Sequence, residues 1–203
     1  SFISDMDMQI ERLTGPYLNK DLRAFLKRLE DSEAKRLPIL DWLNDLRGRA
    51  RTLLGIDLGD PAWQIDWPAL IRIYKLGEFE SKLDMKAFVK ERDEFLSLIR
   101  GLSPQGTVPL RDNDVEQIES LLSSPITRHQ LPDPETGILF EKMTASLPKN
   151  FDYDAYPNVK IFIGHLILQS EVKGERLMEE MNRLAGQISG KLAKTDEERK
   201  ILG

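Results

Sequence analysis

Residues 159–192, VKIFIGHLILQSEVKGERLMEEMNRLAGQISGKL, decide the fold of this chain. Their apolar residues recur mostly at three- and four-residue steps, and no proline interrupts them, so the pattern predicts an α-helix. Pro157 stands just before the stretch, and a capping signal begins at Thr195 just after it. We therefore expect one continuous long C-terminal helix from about residue 158 to 193, much longer than the roughly 11–12 residues of an average helix.

The beginning of this stretch is also compatible with a buried β-strand. Residues 159–168 are rich in β-branched and aromatic side chains, which strands favour. A strand needs a neighbour, and the only other strand-like piece of sequence is the short segment 70–74. An orphan strand would leave its backbone N–H and C=O groups unpaired. We therefore predict a helix here, in a chain built without sheets.

Shorter amphipathic segments, separated by proline and glycine, fill the rest of the chain. The first has its apolar residues mostly at helical steps, namely Phe2, Ile3, Met6, Ile10 and Leu13. The clearest linker is 102–110, which contains Pro104 and Pro109. The sequence thus predicts an all-α protein, an irregular multi-helix bundle of about seven to nine helices. We expect an N-terminal helical subdomain at 1–101 and a C-terminal one at 102–203, with a single domain as the alternative.

The composition excludes several chemistries. The 203 residues include no cysteine, which excludes disulfides, cysteine-ligated zinc or iron–sulfur clusters, and thiol catalysis. The sequence has no glycine-rich phosphate loop and no serine nucleophile elbow. The net charge of −5 and the small size of the arginine group at 47, 49 and 51 argue against nucleic-acid binding. We expect a soluble, acidic protein that uses no cofactor.

Targeting signals are missing from the sequence. No run approaches the roughly 18 consecutive apolar residues of a transmembrane segment, and no signal peptide is visible. We therefore expect a cytoplasmic location. The chain begins at Ser1, and a capping box at Thr195 and Glu198 opens a helix that stops at Gly203 after barely two turns. We expect the natural polypeptide to be longer, and an exported or membrane-adjacent helical domain stays an alternative.

Asp152 and Asp154, on either side of Tyr153, are the paired carboxylates best placed for chemistry. They precede the predicted long helix, whose N-terminal dipole favours acidic residues without any catalytic role. The alternative is a divalent-cation site or an acid/base pair, with His165 as a further group. A calcium loop would need more oxygen ligands at regular spacing and a glycine, and these are missing. An acid/base or metal-dependent enzyme is therefore the second hypothesis.

Glu171, Glu175 and Glu179 fall four residues apart and form an acidic line along the predicted long helix. A solvated helix face explains such a line, and a docking stripe for a basic partner is the functional alternative. Gly186 and Gly190 on the same helix would allow another helix to approach closely. The C-terminal helix is thus our candidate for binding a partner protein or for self-association.

Trp63 and Trp67 lie in a loop framed by Asp60 and Pro68. Large aromatic residues in a loop either close the end of a helical core or anchor a ligand or partner. We keep both interpretations and take the pair as the best recognition surface visible in the sequence. No motif is specific enough to name a family. We therefore expect a non-enzymatic helical protein-interaction or regulatory module.

Overall fold

The computed structural model describes residues 17–101, 110–123, 135–149 and 151–202. Helices and the turns between them account for these residues, and no strand occurs in them. The prediction of an all-α protein is confirmed. The helix predicted around Phe2–Leu13 and the predicted linker at 102–110, apart from Leu110, lie outside the described residues.

The described residues form nine α-helices, within the predicted number. They are α1 (Lys20–Glu33), α2 (Ile39–Arg49), α3 (Pro68–Lys82), α4 (Met85–Gly101), α5 (Asp112–Ser123), α6 (Glu135–Ser146), α7 (Pro157–Ser170), α8 (Gly174–Leu192) and α9 (Asp196–Leu202). A π-helical turn, Ala50–Leu54, prolongs α2, and Gly55 ends it in the left-handed conformation with φ 71°. None of these helices combines the length and the hydropathy needed to cross a membrane.

The prediction of one continuous helix from about 158 to 193 is wrong, because α7 ends at Ser170 and α8 begins at Gly174. The Ser170 hydroxyl donates to the Ile167 carbonyl (2.7 Å), a side-chain bond that competes with the helical ladder. The next two backbone N–H groups bond only three residues back, Glu171 to Leu168 (3.3 Å) and Val172 to Gln169 (3.2 Å). Val172 in this tightened turn is buried. The apolar pattern of the sequence therefore continues through the turn, although the helix ends there.

Contacts divide the chain into two compact units. The terminal unit comprises Ser1–Leu70 together with Glu175–Gly203, and the central unit comprises Ile71–Gly174. The subdomains predicted at 1–101 and 102–203 have other bounds than these units. Grouping by contacts does not test whether they fold separately, so they stay a prediction.

Each unit has its own apolar core. In the terminal unit, the Phe25 and Trp42 rings lie 5.5 Å apart, among buried residues that include Leu22, Leu46, Leu58, Trp67, Leu184 and Ile188. In the central unit, Phe88 stacks on Phe162 at 4.4 Å, and Phe95, Phe140, Ile118, Leu122 and Met143 surround them. These cores follow the amphipathic stripes of the helices, as apolar burial requires.

Glutamates from distant helices cap two of the helix N-termini. In the terminal unit, the buried Glu180 of α8 accepts hydrogen bonds from the backbone N–H groups of Ala69 (3.0 Å) and Leu70 (3.0 Å) at the start of α3. In the central unit, Glu91 of α4 accepts from the N–H groups of Asn158 (2.7 Å) and Val159 (3.1 Å) at the start of α7. Both carboxylates satisfy donors that have no partner within their own helix.

Candidate interaction groove

An open groove of about 310 Å³ lies in the terminal unit along α1 and α8, and we call it the α1–α8 groove. α1 contributes Leu26, Leu29 and Glu33, and α9 contributes Leu202. α8 contributes Asn182, Ala185, Gly186, Ser189 and Gly190. The volume is at the lower end of the roughly 300–1,000 Å³ of ligand-binding pockets.

The apolar wall of the groove comes from the edge of the α1 stripe. Leu22 and Phe25 of this stripe are fully buried in the core, whereas Leu26 and Leu29 are half-buried. The Asn19 side chain caps α1 by accepting from the N–H of Leu22 (3.0 Å), and its Nδ2 donates to the Leu192 carbonyl at the end of α8 (2.9 Å). The start of α1 is thereby held against the end of α8.

Two glycines open the other side of the groove. Gly186 and Gly190 are exposed and one helical turn apart on α8. A Cβ atom added at either position would meet no atom within 4 Å. The missing side chains therefore leave the α8 backbone accessible to a molecule that lies in the groove.

Charged side chains hold α8 in place. The Arg183 guanidinium lies over the Trp67 ring, 4.1 Å from its centroid, and donates to the Asp66 carbonyl. Together with the cap from Glu180 to α3, these contacts fix α8 to the segment 66–70. A groove wall that is held in place in this way loses less conformational entropy when a ligand binds.

The C-terminal capping box also belongs to this unit. The Glu198 N–H donates to Thr195 Oγ1 (3.1 Å), so the predicted box is confirmed. The buried Glu198 carboxylate accepts from the backbone N–H groups of Asn19 (2.6 Å), Lys194 (2.6 Å) and Thr195 (2.9 Å). These bonds, that from Asn19 first, lower the pKa of Glu198 to about 2. The carboxylate ties the start of α1 to the start of α9.

The predicted tryptophan pair is divided between the core and the surface of the loop. Trp67 is buried beneath Arg183, with 3% of its surface exposed. Trp63 is half-buried in a short 3₁₀ turn, Pro61–Trp63, which Asp60 caps through the Ala62 N–H (2.9 Å). Ile65 between them is 89% exposed. A role of this loop in recognition stays a prediction.

The predicted acidic line is interrupted at the break between α7 and α8. Glu171 lies at the end of α7, where its carboxylate contacts Arg72 Nε (3.0 Å) within the central unit. Glu175 and Glu179 are exposed on α8 and share no ion pair with any residue that the structure describes. Glu179 precedes Asn182 by three residues and Gly186 by seven, spacings that place all three on one side of the helix. The acidic residues of α8 therefore continue the line of the groove.

The Asp152 and Asp154 carboxylates make structural contacts in the central unit. Asp152 caps the short turn Tyr153–Ala155 by accepting from the Asp154 N–H (3.1 Å). Asp154 accepts from Lys160 Nζ (2.6 Å), a hydrogen bond that lowers its pKa. Burial raises the pKa of Tyr153 between them to about 12. Across the described ranges, no group of three or more His, Asp or Glu side chains is arranged to hold a metal ion.

His165 is a core residue of the central unit. Its side chain is 3% exposed, and its Nε2 lies 3.4 Å from the Glu80 carboxylate. A catalytic role for Asp152, Asp154 or His165 is not tested by these contacts and stays a hypothesis.

Sequence reasoning recognised part of the groove. Gly186 and Gly190, predicted as positions of close helix approach, line it, whereas no sequence motif indicates Leu26, Leu29 or Glu33 as part of a site. The available signal is that Leu26 and Leu29 continue the apolar stripe of Leu22 and Phe25 along α1. No family model, no curated protein and no solved structure matches this chain. The function must therefore be argued from the groove itself.

Proposed function

We propose that this chain is a non-enzymatic protein-interaction module that binds an amphipathic helix of a partner protein in the α1–α8 groove. The observation that carries the proposal is an open groove with leucine on one side and accessible glycine backbone on the other. Binding of an amphipathic helix in an apolar groove is a recurrent mode of peptide recognition.

A helical ligand suits the groove better than a β-strand or a flat protein surface does. The glycines allow the backbone of a ligand helix to approach α8 closely, as small residues do at helix–helix contacts. Leu26, Leu29 and Leu202 supply apolar contacts for side chains at i, i+3 and i+4 of the ligand. Asn182 and Ser189 offer hydrogen bonds that fix its register.

A second copy of the chain suits this groove poorly. In a two-fold symmetric dimer the same patch of both copies forms the interface. Two concave patches that face each other would enclose a void, and voids lose contacts on both walls. A convex rod such as a single helix fills the groove without this loss. Self-association through α8, the other partner expected from the sequence, is therefore the weaker proposal.

The test uses an 18-residue fluorescein-labelled helical peptide with leucine on one face and glutamine on the other. Its fluorescence anisotropy is followed on titration with the full chain. We expect saturable binding, and loss of binding in Gly186→Leu/Gly190→Leu, whose new side chains fill the groove. Because an added Cβ meets open space at both positions, this variant should fold.

Gly48→Leu is the matched control. Gly48 is exposed in α2 of the terminal unit, does not line the groove, and likewise has nothing within 4 Å of an added Cβ. This variant should bind the peptide as the unchanged chain does. Equal binding by all three proteins, or no binding by the unchanged chain to any peptide of the series described below, would refute the proposal.

A further inference from the structure

The side of α8 that faces the groove extends beyond it toward the helix N-terminus. Glu175 and Glu179 each precede a groove residue, Asn182 and Gly186, by seven residues, which is about 10.5 Å along the helix axis. Met178, half exposed, precedes Asn182 by four residues and lies on the same side. A helix that lies along α8, fills the groove and is longer than four turns would therefore pass over Met178 and both glutamates.

These two carboxylates are left uncompensated by the arginines of their own helix. Arg176 Nε contacts the Glu180 carboxylate (3.3 Å), and Arg183 lies over Trp67. Glu175 and Glu179 thus repel each other across one helical turn. Glu33, the charged residue among those that line the groove, also makes no ion pair within the described part of the chain. The unpaired charges along the groove and its extension, those of Glu33, Glu175 and Glu179, are therefore all negative.

We infer that the partner helix is basic at the end that lies over Glu175 and Glu179, with Lys or Arg beside its apolar stripe. This inference rests on the proposed function. Charge complementarity of this kind sets the orientation of a ligand and accelerates its association. The chain's own amphipathic segment at residues 2–13 has the wrong charge for this site, since it carries Asp5, Asp7 and Glu11 against Arg12.

Three peptides with the same leucine face test the inference. They differ only at four positions near one end, next to the leucine face. These four positions are all Lys in the first peptide, all Gln in the second and all Glu in the third. At 0.1 M salt we expect the Lys peptide to bind about tenfold more tightly than the Gln peptide, the scale of a few exposed ion pairs. The Glu peptide should bind most weakly. At 1 M salt the differences should fall to about twofold, because the screening length shrinks from about 10 to 3 Å.

Charge reversal provides the decisive comparison. Glu175→Lys/Glu179→Lys should invert the order, so that the Glu peptide binds best. Glu94→Lys/Glu116→Lys changes the net charge equally, at two exposed glutamates of the central unit, and should leave the order unchanged. Inversion by both variants, or by neither, would overturn the inference.

The outcomes also separate the inference from the function on which it rests. If the three peptides bind equally and Gly186→Leu/Gly190→Leu abolishes binding, the groove function stands and the basic partner is wrong. If none binds, both proposals fail.

Two other occupants of the groove can be recognised by experiment. Tighter binding of the peptides to the Met6→Asp/Ile10→Asp variant of the full chain would identify the chain's own segment at residues 2–13 as the occupant. Light scattering that shows a dimer, lost in the leucine variant, would identify a second copy. Either result would overturn the basic partner.

Discussion

Replacing both groove glycines with alanine should make the protein more stable and weaken its binding. Glycine inside a helix is about 0.8–1 kcal/mol less favourable than alanine. Gly186 and Gly190 are exposed, and the new methyl groups meet nothing within 4 Å, so no clash offsets this gain. Since Gly190 lies two residues from the end of α8 at Leu192, its replacement stabilises the helix less than that of Gly186. We expect Gly186→Ala/Gly190→Ala to raise the free energy of unfolding by about 1–2 kcal/mol.

The assay is urea unfolding followed by tryptophan fluorescence. The three tryptophans of the chain, Trp42, Trp63 and Trp67, all belong to the terminal unit, which also contains both glycines. Their emission therefore reports on the unit that is changed. Thermal unfolding should show an increase in Tm of about 2–8 °C, since 1 kcal/mol corresponds to about 2–4 °C for a chain of this size.

Two further glycines calibrate the result. Gly48→Ala, in α2 and away from the groove, should stabilise the terminal unit without changing peptide affinity. Gly164→Ala, in α7 of the central unit, should leave the transition reported by tryptophan emission unchanged, because no tryptophan lies in that unit. The groove variant, in contrast, should bind the peptides about tenfold more weakly, because overpacking of a close contact costs about 1–3 kcal/mol. Destabilisation by Gly186→Ala/Gly190→Ala would refute the reasoning that the glycines face open space.

Two other predictions concern buried carboxylates of the terminal unit. Glu180→Gln should destabilise it by about 1–3 kcal/mol, because an amide nitrogen then faces the N–H donors of Ala69 and Leu70. Urea unfolding measures this loss. As a control, Glu179→Gln at an exposed position should change the free energy of unfolding by less than about 0.5 kcal/mol. The contribution of Glu198 should depend on pH in a defined direction. Because its pKa falls from an ordinary value of 4.5 to about 2 on folding, its stabilisation is complete above about pH 5 and is lost as the pH falls toward 2. The stability difference between the unchanged chain and Glu198→Gln, measured from pH 2 to 6, should shrink on acidification, and a pH-independent difference would contradict the assignment.

The local features of this fold could be predicted from the sequence because neighbouring residues determine them. Helical periodicity identified the all-α class, and short-range capping rules identified the box of Thr195 and Glu198. The glycine at the helix end at residue 55 and the asparagine that caps α1 at residue 19 are signals of the same local kind. Each of these signals acts within one or two turns, so a single sequence is sufficient to read it.

Features that depend on distant residues were not predicted. The break between α7 and α8 has only Ser170 and Gly174 as local signals, and its cause includes the burial of Val172 in the folded chain. The cap from Glu180 to Ala69 spans 111 residues of sequence, and no local pattern indicates it. The groove depends on how far α8 stands from Leu26 and Leu29, a separation set by packing.

The discontinuity of the terminal unit has a consequence for how the chain folds during synthesis. α1 and α2 leave the ribosome before the roughly one hundred residues of the central unit, and α8 follows only after these. At about 5–20 residues per second, the first two helices wait some 5–20 s for α8, which belongs to the same compact unit. The central unit is contiguous and can complete its own core in that interval. During that interval nascent α1 and α2 leave apolar residues of the terminal core, such as Leu22 and Phe25, open to chaperones.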